Sequence, residues 1–167
     1  MRNITLITER YIKENTPLSQ NISAKDIINN IIPAQDLHVQ PIMGTNFYNY
    51  LLTKYDNQTL SADEIILVEY IQPGLAYRSA SMTLPFLNYQ IKNKGVQTQN
   101  GDNSESVGSG VVTYLKNELD NRAEFYETRL INYLCENKDL YPNYINDNND
   151  DIKPGNDKPY DGGFIFY

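Results

Sequence analysis

The sequence predicts a mainly α protein: a small helical bundle with one kinked central helix, a long C-terminal helix, an inserted extended arm or β-hairpin, and an extended C-terminal tail. Three observations predict it. Apolar residues recur at three- and four-residue spacing through most of 23–135, the period of helices that bury one face. Pro73 and Pro85 interrupt the longest such run, and each removes an amide donor and crowds the carbonyl four residues back. Beyond Phe86 the helical period gives way to alternation, and a Gly-, Asn- and Ser-rich stretch follows.

The first helix signal is Ser23 as N-cap ahead of Ile27, Ile28, Ile31 and Ile32, with a stop at or near Pro33. PAQDLHVQ offers another turn or two before Pro41, and Gly44-Thr45 reads as a stop followed by a cap. Tyr48, Leu51, Leu52 and Tyr55 continue at helical spacing. Ser61 and Glu64 form a capping box, the strongest start signal in the chain. The central helix it opens carries Ile65, Val68, Ile71 or Gln72, Leu75, Met82 and Phe86 along one side. Ala76, Ser79, Ala80 and Ser81 are small enough to admit another helix, and the prolines predict a bend between Glu69 and Pro73 and an end near Pro85. Tyr89, Ile91, Val96 and Thr98 alternate around Asn93-Lys94-Gly95 as a hairpin would. From an N-cap at Ser109, Val111, Leu115, Leu119, Ala123, Tyr126, Leu130 and Leu134 make the stripe of the long last helix. The expected units are residues 1–136, with the arm at about 88–109, and a tail at 137–167 too polar to order itself.

Composition narrows the function classes. At 167 residues the chain is the size of one domain that needs no disulfide or metal to bury a core. No apolar run approaches the roughly 20 residues of a membrane helix, and the first residues lack an apolar signal core, so a soluble, unexported protein is expected. The single cysteine fits a reducing compartment. Net charge is −7, the opposite of what sustained phosphate-backbone binding requires. Fourteen tyrosines and no tryptophan favour half-apolar, half-wet surfaces such as interfaces.

Catalytic signatures are missing: no phosphate-binding glycine loop, no GxSxG, no HExxH and no paired CxxC. His38 and Cys135 read as structural residues, and Asp120, Glu124 and Glu127 as an ordinary polar helix face. Asp147 to Asp151 starts like a calcium loop but has Ile152 where the loop needs glycine and Lys158 where it needs glutamate. No catalytic residue, metal ligand or cofactor is therefore expected. Arg78 is different, because it stands among small residues where an unpaired charge is costly to bury. It reads either as a stem covering apolar surface or as a salt bridge across a subunit interface. Phe164, Ile165, Phe166 and Tyr167 are costly to expose and read as a docking segment.

The stretch YIQPGLAYRSASMTLPFLNYQIKNKGV, Tyr70 to Val96, is similar to proteins of tailed bacteriophages that infect Bacteroidetes, including the crAss-like phages. With Ala34-Gln35, PIMGTNFYNYLL from Pro41 to Leu52, and a long helix after an interrupting loop, the chain resembles head-to-tail connector, or adaptor, proteins from about Ile4 to Cys135. The resemblance implies a virion protein at the head-tail junction, assembled in the host cytoplasm. It would form a homo-oligomeric ring, normally of twelve, beneath the portal protein. Such a ring extends the DNA channel, touches passing genomic DNA without sequence preference, and presents a surface to the next neck or tail protein. In that setting Tyr89, Ile91, Lys92, Asn93, Lys94, Gly95 and Val96 of the arm and Arg78 of the central helix become subunit-interface residues. Phe164 to Tyr167 become the segment that docks on a partner. The acidic, aromatic-ended tail departs from compact adaptors. Competing expectations are another tail-completion or neck protein, and a non-virion phage protein that binds a host partner.

Overall fold

The computed structural model describes residues 4–92, 95–98, 108–145 and 151–155. The chain is mainly α, as expected. Helix α1 (Glu9–Asn15) is followed by α2 (Ala24–Ala34), a π-helical turn (Gln35–Val39), α3 (Gln40–Met43) and α4 (Thr45–Asp56). The long helices α5 (Ala62–Asn88) and α6 (Ser109–Glu136) form the axis of the fold, packed side by side. Between them β1 (Tyr89–Lys92) pairs antiparallel with β2 (Gly95–Thr98), Ile91 opposite Val96. A 3₁₀ turn (Lys138–Leu140) and α7 (Pro142–Ile145) follow α6.

Helices α2 and α5 end close to the predicted stops near Pro33 and Pro85, with the prolines themselves lying inside the helices. Pro33 lies inside α2, and the backbone runs through the π turn, in which the Gln40 N–H donates to the Gln35 carbonyl five residues back. Pro41 then sits in the first turn of α3, where no intrahelical donor is needed. Both Pro73 and Pro85 lie within α5, which runs on to Asn88. Packing explains the persistence: α5 is sandwiched between α2 and α6, and burial of Leu67, Val68, Ile71, Leu75 and Ala76 outweighs the lost hydrogen bonds. The small-residue stretch does admit close neighbours, with Ala76, Ser79, Ala80 and Ser81 all buried.

Two predicted core rows are corrected. On α5 the buried row includes Leu67, while Ile65 and Phe86 face solvent. On α6 it is Val112, Leu119, Ala123, Leu130 and Leu134, and Val111 and Leu115 are exposed. In both helices one residue of register decides which apolar side chain meets the seam, and periodicity alone does not resolve that step. The capping box at Ser61 forms, with the Ser61 N–H donating to Glu64 Oε2 at 2.7 Å and the Glu64 N–H to Ser61 Oγ at 3.3 Å. Glu64 also accepts Lys54 Nζ at 2.7 Å, tying α4 to α5. Gly44, with φ of 76°, takes the corner between α3 and α4 that an L side chain resists.

The boundary at 136 is also corrected. Tyr141 and Tyr144 are buried against Phe47, with ring centroids 5.7 and 6.0 Å away. The Tyr141 hydroxyl donates to the Asp63 carbonyl at 2.9 Å and lies 2.9 Å from the Tyr133 hydroxyl. The helical unit therefore extends through α7. Two rings supply the burial that the polar composition of this stretch conceals. Farther on, 151–155 form a strap on the α3–α4 corner. The Thr45 N–H donates to the Ile152 carbonyl at 2.9 Å, Thr45 Oγ1 lies 2.8 Å from Asp151 Oδ2, and the Gly155 N–H donates to the Pro41 carbonyl at 3.0 Å.

Candidate functional site

The densest polar chemistry lies in the α5–α6 seam. Positions 116, 120, 124 and 127 fall on one stripe of α6, opposite Arg78 of α5. Arg78 makes a bidentate pair with Glu127, Nε to Oε1 at 2.7 Å and Nη2 to Oε2 at 2.8 Å. Its Nη1 donates to Asp120 Oδ1 at 2.9 Å, and Glu124 lies 3.8 Å from Nη2. Lys116 closes the cluster on Asp120 Oδ2 at 2.6 Å. Only 11% of the Arg78 side chain is exposed, against 19% of Asp120 and 18% of Glu127.

Hydrogen bonds and charge from Glu127, then Asp120, hold the Arg78 guanidinium protonated well beyond its ordinary range against the cost of burial. Burial alone would raise the Asp120 carboxyl, but Lys116 and Arg78 together hold it below the usual carboxylate value. His38, from the π turn, brings Nδ1 to 3.6 Å from Glu127 Oε1. Burial and then the Arg78 cation lower its pKa, so it is neutral at neutral pH. Such a set of paired charges can clamp two helices.

This geometry corrects two expectations. Arg78 does not need a neighbouring subunit's acid, because Asp120 and Glu127 of its own chain already satisfy it. Asp120 and Glu127 are not an ordinary solvent face, because the helix register turns them onto Arg78. Only Glu124, 65% exposed, fits that description. The arm residues Tyr89, Ile91, Lys92, Gly95 and Val96 lie on β1 and β2, while Asn93, Lys94 and Phe164 to Tyr167 lie outside the described residues. Among the described residues no group of His, Cys, Asp or Glu is placed to hold a metal ion, and no helix is long and apolar enough to cross a membrane.

Two further features escaped sequence reasoning. Gln35, fully buried in the π turn, accepts the Leu6 N–H at 2.9 Å and donates to the Ile4 carbonyl and the Tyr48 hydroxyl. Tyr48 in turn donates to Asp36 Oδ1 at 2.7 Å, so one amide fastens the N-terminal segment to α4. On the outer side of the α5–α6 seam, Arg122 lies over Tyr77, and Arg129 over Tyr70, Phe125 and Tyr126. The 4-3-4 spacing of Arg122, Tyr126, Arg129 and Tyr133 was the available signal, since it puts all four on one side of a helix. At the far end of the same helix pair, Phe86, Val111, Tyr114 and Leu115 are 44–63% exposed.

These features define a class: a helical protein organised on a long α-hairpin, with a buried charge cluster clamping its two helices. The chain belongs to the family described as "Family of unknown function (DUF6712)", which matches residues 39–153, from the π turn through the strap. No curated protein and no solved structure matches the chain.

Proposed function

We propose that the chain is a structural, non-catalytic virion protein of a tailed bacteriophage, a subunit of a ring that sits below the portal protein and joins the DNA-filled head to the tail. One observation carries this reading. Phe86, Val111, Tyr114 and Leu115 are exposed where α5 ends, β1 and β2 pair, and α6 begins. Four large apolar side chains around a two-stranded element form a surface that a second subunit would cover, and the strand edges offer backbone groups for pairing. A ring of about twelve copies places Tyr89, Ile91, Lys92 and the Asn93-Lys94-Gly95-Val96 stretch against the neighbouring subunit. Lys92 and Lys94 then face its acids or the passing DNA. Phe164 to Tyr167 dock on the next neck or tail protein.

The test is the copy number of the protein relative to portal protein in purified, DNA-filled particles by quantitative mass spectrometry. A ratio near one or another small whole number supports the reading, and absence from particles overturns it. Deleting 93–103 should leave helicity by circular dichroism unchanged and stop ring assembly; normal rings from that deletion would remove the arm from the interface.

A further inference from the structure

We propose that residues 156–167 of this chain dock in cis on the arginine-tyrosine face of the α5–α6 seam, so that the subunit covers this face itself until a partner takes up the tail. The face is built, and its cations are free to bind. The Arg129 guanidinium lies 5.6 Å from the Tyr70 ring centre, 5.9 Å from Phe125 and 6.0 Å from Tyr126, and Arg122 lies 5.9 Å from Tyr77. Tyr70 stacks on Tyr133 at 4.2 Å and Tyr77 on Tyr126 at 5.8 Å, which holds the tyrosines in place as a platform, with Phe125 edge-on to Tyr126. No carboxylate among the described residues pairs with Arg122 or Arg129, in a chain with seven more acids than bases. Phe125, 60% exposed, adds apolar surface to the face. A cleft of about 250 Å³, lined by Glu69, Tyr70, Pro73, Tyr126 and Arg129, opens in the middle of the platform.

The occupant follows from charge, chemistry and tether. Residues 156–167 read NDKPYDGGFIFY, with Asp157 and Asp161 to meet the two arginines, Lys158 to meet Glu69, and Tyr160, Phe164, Phe166 and Tyr167 to lie on the rings. The strap fixes where this segment starts. Gly155 is bonded to Pro41, and the next residue, Ile42, already shares a small gap with Tyr70 and Tyr126. From that point the nine residues to Phe164 span up to about 30 Å when extended, more than enough to cross the seam. Held so close, the segment has an effective concentration on the order of millimolar, which makes even weak docking largely complete.

The experiment uses the full chain and a full-length variant with Phe164→Ser, Ile165→Ser, Phe166→Ser and Tyr167→Ser. The probe is a fluorescent synthetic peptide of residues 156–167, read by anisotropy at low salt. The peptide should bind the variant at least about tenfold more tightly than the unaltered chain, whose own tail competes for the face. Adding Arg129→Glu to the variant should reduce that binding at least about tenfold. Equal binding to both chains, no binding to the variant, or binding indifferent to Arg129→Glu would each overturn the proposal. Sedimentation of both chains identifies the remaining occupant: a dimer of the unaltered chain that the serine variant lacks would give the tail to a second copy and overturn docking in cis. None of these outcomes depends on the ring, so the proposal and the neck reading fail separately.

Discussion

Replacing Arg78 with methionine tests the seam directly. The substitution keeps most of the stem's packing and removes the guanidinium, and with it the paired hydrogen bonds to Glu127 and the bond to Asp120. Both acids are four-fifths buried in the native chain, and Lys116 remains on Asp120 alone. Breaking a buried pair by removing one partner costs about 3–5 kcal/mol, and the low end applies where Lys116 and some water remain. A loss of about 3 kcal/mol lowers the melting temperature of a chain this size by about 6–12 °C. Denaturant unfolding followed by circular dichroism measures it, and adding Asp120→Leu and Glu127→Met should bring stability back to within about 1 kcal/mol of the unaltered chain. The pH dependence has a definite sign. The Asp120 carboxyl is held below its unfolded value, so its stabilisation is complete above about pH 3.9 and disappears as pH falls through the lower folded value. The gap between the two proteins should therefore narrow in strong acid. A loss under about 1 kcal/mol from Arg78→Met would show the acids to be solvated and refute the clamp.

Three other outcomes follow from the packing. His38 has a folded pKa below its unfolded value of about 6.5, so its contribution is present above that pH and is lost as pH falls through the folded value; His38→Gln should flatten the stability profile in the window just below 6.5. Tyr141→Phe removes the bonds to Asp63 and Tyr133 and should cost about 1 kcal/mol, whereas Phe47→Ala should cost about 3–5 kcal/mol; an unaltered melting curve for the latter would remove Tyr141 and Tyr144 from the core. Gly74 is buried in α5, yet an added Cβ would come no closer than 3.4 Å to Tyr126 Cβ, so Gly74→Ala should gain up to about 1 kcal/mol from helix propensity, and a clear loss of stability would show the seam to be tighter than its geometry.

The site was less legible than the fold. Arg78 stood out in the sequence as a charge needing a partner, and the partner was misplaced because Asp120 and Glu127 are more than forty residues away along the chain. Nothing local distinguishes them from Glu124, which shares their stripe and remains exposed. The arginine-tyrosine face was written in the spacing of α6, but only the stacking of Tyr70 and Tyr77 from α5 turns that spacing into a platform. The burial of Gln35 carried no local signal, since a buried amide differs from an exposed one only in its surroundings.

By itself the sequence determined the class of the fold, the capping box that starts α5, and the change of pattern at Tyr89, because each depends on neighbours within a few residues: spacing, caps and loss of period. Tertiary structure carried α5 through Pro73, since burial of Leu67, Ile71 and Leu75 acts across elements and exceeds a local cost of one hydrogen bond. It also drew Tyr141, Tyr144 and Asp151 onto α4 from a stretch whose composition reads as unstructured, because a few rings and backbone bonds order a segment once a surface is there to receive them.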